Sequence, residues 1–332
     1  MRSGAVFTLS VLVAACSSQR LPDAPASAAA AADAASVVLD ASVQAATTEP
    51  FDAGEPMPAF EALRSDAQAV TLAEELFTKW RSVAGVERAY TMDGGYRGMI
   101  KIEPAAPVLA ERKHLAWVVA AMRDFDAFFA ALDAHADGKA HPPRYRFAPV
   151  KVLFFRSVHA RTPSAYAHDW TVAWNLDGSL NTSADAARET LFHEIFHLND
   201  YAHPQVSPYA GPGVEGPHDA WSLVALAGTF DAIVHKCGTK TACLAPYSPN
   251  ETLVRGGTYY SFQPGNGVRE YAAELGVRYY REQRAALGLV KGAPVVPPAK
   301  ASRFKCGPPE NARAWALVRD ELFAGIDVVP SC

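Results

Sequence analysis

Thr190-Leu191-Phe192-His193-Glu194-Ile195-Phe196-His197-Leu198-Asn199-Asp200 is the stretch on which the reading of the whole chain turns. It contains H-E-x-x-H. Positions i and i+4 leave a helix on one face, so His193 and His197 can present two imidazoles to one metal ion. Zinc takes nitrogen ligands and, in catalytic sites, keeps one position open for water. Glu194 stands beside the pair, where a carboxylate can accept a proton from water that the metal has acidified. The bland alternative is a helix carrying two ordinary surface histidines. Local signals favour a helix of about 18 residues. Thr182 with Asp185 fits a capping box. Leu191, Ile195 and Leu198 form an apolar stripe, and Pro204 limits the far end.

Upstream, Val150-Lys151-Val152-Leu153-Phe154-Phe155 and Trp170-Thr171-Val172-Ala173-Trp174-Asn175 are rich in β-branched and aromatic residues and read as strands. Asp177-Gly178 is a hairpin-turn dipeptide leading into Ser179-Leu180-Asn181. Earlier still, Phe60 to Val83 and Leu109 to Ala136 have helical spacing. In the second, Leu115, Val118, Val119 and Met122 are in register, and Gly138 is a stop. Its aromatic stripe reads as core. Between them, Arg88 to Glu103 reads as short extended pieces around the turn Asp93-Gly94-Gly95. Residues 58–140 are therefore expected as a helical N-terminal lobe without chemistry of its own. Residues 141–332 are expected as the domain that bears the motif, in an α+β fold with a small mixed sheet.

Two histidines and a glutamate do not complete a site, because catalytic zinc wants three protein ligands. Downstream there are two candidates. His203 completes the metzincin spacing H-E-x-x-H-x-x-G-x-x-H, but Asp200 holds the glycine position. That family also needs a methionine-containing turn, and this chain has no methionine after Met122. The second candidate is Glu270. Asn266 is a suitable N-cap for a helix that carries Glu270 and Glu274 on one face and runs towards Gly288. The intervening stretch holds a helix of its own, from about Asp219 to Lys236. His218 and His235 flank it as ordinary histidines.

Glu270-Tyr271-Ala272-Ala273-Glu274 resembles the E-[FY]-x-A-E helix of lethal-factor-type toxins, within the glutamate zincins (gluzincins), and Leu191 to Tyr201 is similar to their H-E-x-x-H helix. The resemblance covers residues 190–280. It implies a zincin-like metallopeptidase domain with one Zn2+ held by His193, His197 and Glu270. It also implies that Glu194 is the general base and that Glu274 orients a zinc histidine. The substrate would be a peptide or protein, lying as an added strand on the edge of the sheet. These enzymes place a tyrosine that stabilises the oxyanion shortly before the ligand helix. Gln263 stands at that position here, and Tyr259 and Tyr260 lie just upstream, with Tyr260 preferred. A non-catalytic, zinc-stabilised surface lipoprotein remains the rival from another class.

Met1-Arg2 followed by the apolar run Ala5 to Ala15 reads as a signal peptide over residues 1–15, too short to span a bilayer as a helix. Val13-Ala14-Ala15-Cys16 resembles a bacterial lipobox. That resemblance implies lipid on Cys16 and, with Ser17 next, the outer membrane of a Gram-negative bacterium. Residues 16–57 are rich in Ala, Ser and Pro and read as a disordered tether. Only the lipid would then join the protein to a membrane. The other cysteines are Cys237, Cys243, Cys306 and Cys332, an even number suited to two disulfides in an exported chain. Cys237–Cys243 and Cys306–Cys332 is the preferred of the three pairings. The net charge of −4 supplies no basic footprint for nucleic acid.

Overall fold

The computed structural model describes residues 58–94, 98–136, 143–202, 220–254, 256–290 and 302–332. The expected signal peptide, Cys16, the tether, Gly138, His203, Pro204 and His218 lie outside the described residues.

The first helix, α1 (Ala67–Trp80), is capped by Asp66, whose carboxylate accepts from the backbone N–H groups of Gln68 and Ala69. Three strands follow: β1 (Val83–Val86), β2 (Tyr90–Asp93) and β3 (Met99–Pro104). Then come α2 (Arg112–Asp133), β4 (Lys151–Ser157), β5 (Ala165–His168), β6 (Thr171–Asn175) and α3 (Ala184–Tyr201). Among the described residues, the α-helices after α3 are α4 (Trp221–Ala225), α5 (Ala227–Cys237), α6 (Thr241–Leu244), α7 (Val268–Ala286) and α8 (Pro309–Leu322). Among the described residues no helix is long and apolar enough to cross a membrane.

The six strands form one mixed sheet in the order β2-β3-β4-β6-β5, with β1 also paired to β4. β4 is its axis. It runs parallel to β1 (Val83 opposite Lys151) and to β6 (Val152 opposite Val172), and antiparallel to β3 (Ile102 opposite Ser157). Every residue of β6 is buried, as expected of a strand covered on both faces. β5 is the antiparallel edge, and α3 packs against it.

Several local expectations change. The stretch read as a helix to Val83 stops at Trp80, where Arg81 adopts the left-handed conformation, and β1 begins two residues later. Strands 83–104 thus join the same sheet as β4 and β6. Asp177-Gly178 does not open a hairpin: Ser179-Leu180-Asn181 forms no strand, and the antiparallel partner of β6 is β5, which precedes it. A Cβ on Gly178 would lie 2.8 Å from Asn181 Nδ2, so this glycine serves a tight loop and not a strand turn. The cap of α3 is Ser183, whose hydroxyl accepts from Ala186 N at 3.2 Å, and not Thr182. The single helix expected up to Lys236 is divided into α4 and α5.

The main apolar core draws on residues from Leu63 to Val329 and takes in α3, and a second, small cluster gathers Ile100, Ile102, Phe155 and Ala173. Phe192 of α3 stacks on Tyr280 of α7 at 4.4 Å and on Tyr145 at 4.7 Å between ring centroids, and meets Phe125 of α2 edge-on at 5.5 Å. Asn199 fixes the far end by accepting from Arg146 N at 2.7 Å and donating to Arg146 O at 2.9 Å. Disulfides join Cys237 to Cys243 and Cys306 to Cys332, the preferred pairing.

Candidate metal centre

Apolar burial of α3 leaves one stripe of polar side chains with nowhere to go but the groove towards α7. His193, Glu194 and His197 are 9%, 8% and 9% exposed. α7 supplies the other wall. Its N-terminal neighbour is Gly267, with no side-chain cap. Asn266, expected to cap, instead donates to Tyr260 O at 2.9 Å. That bond ties the turn Tyr260–Phe262 to the start of α7.

The structure brings His193, His197 and Glu270 together. His193 Nε2 is 3.1 Å from His197 Nε2 and 3.2 Å from Glu270 Oε2, and His197 Nε2 is 3.5 Å from Glu270 Oε1. Three ligand atoms on a tetrahedral zinc, each at about 2.0–2.2 Å, stand roughly 3.3–3.6 Å apart. The three side chains form the metal-capable group identified among the described residues. On its other side, His193 Nδ1 lies 3.3 Å from Glu274 Oε1. A proton on Nδ1, shared with Glu274, leaves Nε2 as a lone pair aimed at a carboxylate and at a second imidazole. With the ring neutral, that lone pair, the second imidazole and the carboxylate form a donor set that could hold a metal ion.

The surrounding carboxylates favour a proton on His193, which a metal ion would have to displace. Burial pushes the His193 ring down, but Glu270 and Glu274 outweigh it and hold the ring well above the ordinary histidine value. Burial raises Glu270, yet the two histidines keep its carboxyl well below the carboxylate range. Glu194 is raised by burial, against the pull of both histidines. An elevated carboxyl is suited to taking up a proton and giving it back.

Tyr260 stands at the site, its ring 6.2 Å from that of His193. Burial and the negative charges of Glu270 and Glu194 raise its hydroxyl well above the ordinary tyrosine value. Tyr259 instead packs against the core, and Gln263 closes the turn with its N–H on Tyr260 O. His235 lies in the last turn of α5 and is not among the three clustered residues.

The roles of two residues were not legible in the sequence, although Asp200 holds the metzincin glycine position there. Asp200 is fully buried and accepts from both Ser222 N and Ser222 Oγ at 2.7 Å, which ties α4 to the end of the histidine helix. An acid in a helix's last turn opposes the helix dipole, and that was the available signal. Arg269 lies across Tyr201, with its guanidinium carbon 4.9 Å from the ring centroid. No spacing rule points to it. Comparison of the chain with protein-family models, with curated proteins and with solved structures finds no significant match.

Proposed function

We propose that this protein is a zinc-dependent metallopeptidase of zincin-like build, exported and held to the outer membrane through Cys16. The observation that carries the reading is the meeting of His193 Nε2, His197 Nε2 and the Glu270 carboxylate within 3.1–3.5 Å of one another, with Glu194 next in the chain. His193, His197 and Glu270 would hold the ion. Zinc in that position would supply Lewis-acid chemistry, polarising a carbonyl and acidifying water. Glu194 takes a proton from the attacking water and delivers it to the leaving nitrogen. Tyr260 donates a hydrogen bond to the oxygen that gains negative charge. Glu274 fixes the tautomer and orientation of His193.

The test combines zinc analysis with cleavage of a mixed peptide library. Wild type is expected to hold one zinc and to cleave. Glu194→Gln should keep the zinc and lose about 10²–10⁴-fold in turnover. Glu270→Ala should lose the zinc. Wild-type turnover by Glu194→Gln would overturn the mechanism, and zinc without cleavage by the wild type would favour a binding protein.

A further inference from the structure

The face of α3 that bears the histidines continues past them. His193, His197 and Tyr201 follow at four-residue intervals, so Tyr201 stands one turn, about 5.4 Å, beyond His197. Arg269, next to Glu270 in α7, covers it: Arg269 Nη1 donates to Tyr201 Oη at 2.8 Å while the guanidinium lies over the ring. Tyr201 is 41% exposed, so the pair borders open space.

No carboxylate pairs with Arg269 among the described residues. The acids around it are engaged elsewhere. Glu270 turns to the two histidines, and Asp200 accepts from Ser222 with both oxygens. Among the described residues, Arg269 Nε is buried without a hydrogen-bond partner. The buried Asp200 carboxylate acts on the guanidinium through space but makes no contact ion pair with it among the described residues, which leaves the fork able to take a carboxylate. The planar fork matches a carboxylate, and the ring beneath it restricts where that fork can point.

We propose that Arg269 and Tyr201 form a subsite for a substrate carboxylate, one or two residues from the scissile bond. This deepens the peptidase reading and rests on it. The reach follows from chain geometry, since an extended peptide advances about 3.3 Å per residue. The carboxylate is an acidic side chain or a free C-terminus, and the same fork serves both.

The experiment uses one cleaved parent peptide with Asp, Asn or Leu placed in turn on either side of the bond, each with a free or an amidated C-terminus. The kcat/KM for the favoured carboxylate peptide should exceed its neutral counterpart roughly tenfold to a hundredfold, chiefly through KM. Arg269→Gln should abolish that ratio, and Arg269→Lys should retain part of it. A preference that survives amidation assigns the side chain; one that disappears assigns the C-terminus. Equal rates for charged and neutral peptides in the wild type, or a ratio unchanged in Arg269→Gln, would overturn the subsite. Calorimetric titration of zinc-loaded Glu194→Gln with the same peptides reads binding without turnover. The carboxylate preference should appear there too and vanish when Arg269→Gln is added. Wild type that cleaves nothing while this binding preference persists would sink the peptidase reading and leave the subsite standing; cleavage without any preference would do the reverse.

Discussion

A side chain on Gly276 would collide with Phe196: a Cβ placed there falls 2.3 Å from Phe196 Cδ2 and 2.6 Å from Cε2. Phe196 is fully buried, so its ring has no free space to retreat into. It precedes His197, and Gly276 follows Glu274 by two residues. The approach of α3 to α7, and with it the gap between the histidines and Glu270, depends on the missing side chain. In an open helix, replacing glycine by alanine stabilises by about 1 kcal/mol. At this position overpacking should reverse the sign. Gly276→Ala is expected to cost about 1–3 kcal/mol in urea unfolding of the metal-free protein and to weaken zinc binding. A more stable variant with unchanged zinc affinity would reject this account.

Glu274 contributes through His193. Losing the carboxylate 3.3 Å from Nδ1 frees the ring to change tautomer and tilt. Glu274→Ala should weaken zinc about 10–100-fold in competition with a chelator. Glu274→Gln should lose less, because its amide oxygen can still accept from Nδ1. Equal affinities for all three proteins would remove Glu274 from the site.

Tyr260 and Tyr259 are neighbours with different surroundings, so they separate cleanly by substitution. Tyr260→Phe should retain zinc and lower kcat about 10²–10³-fold, the cost of one oxyanion donor. Tyr259→Phe should leave kcat unchanged. The reverse ranking would assign the donor to Tyr259.

His114 makes stability depend on pH. It is 1% exposed, accepts from Trp174 Nε1 at 3.4 Å through Nδ1, and has Nε2 3.4 Å from Glu111. Burial lowers the ring to about 4, with Glu111 opposing. Between that value and the ordinary 6.5, the unfolded chain binds a proton that the folded protein refuses. Stability therefore rises with pH across this window and is lost as pH falls towards 4, by about 3 kcal/mol at most. His114→Gln should flatten the difference between urea midpoints at neutral pH and near the lower end of the window. Parallel pH slopes for variant and wild type would exclude this histidine as the cause.

The sequence by itself determined that His193, Glu194 and His197 share a helix, that α7 carries Glu270 and Glu274 on one face, and that β4 and β6 are strands. Each is a matter of helical or strand period, set by backbone geometry within a few residues. Glu270 was legible as one of two candidate ligands, favoured over His203 by the missing methionine turn and by resemblance; that it reaches a partner 77 residues away was not legible, because no local rule brings two such distant segments together. Only the tertiary structure decided that Glu270 reaches both imidazoles, that Tyr260 and not Tyr259 faces them, and that residues 83–86 form a strand on β4. The same holds for the Gly276–Phe196 contact, the Asp200–Ser222 bonds and the placing of Arg269 on Tyr201. These depend on which helix face meets which, and that is settled by close packing of the whole core, which no short stretch of chain encodes.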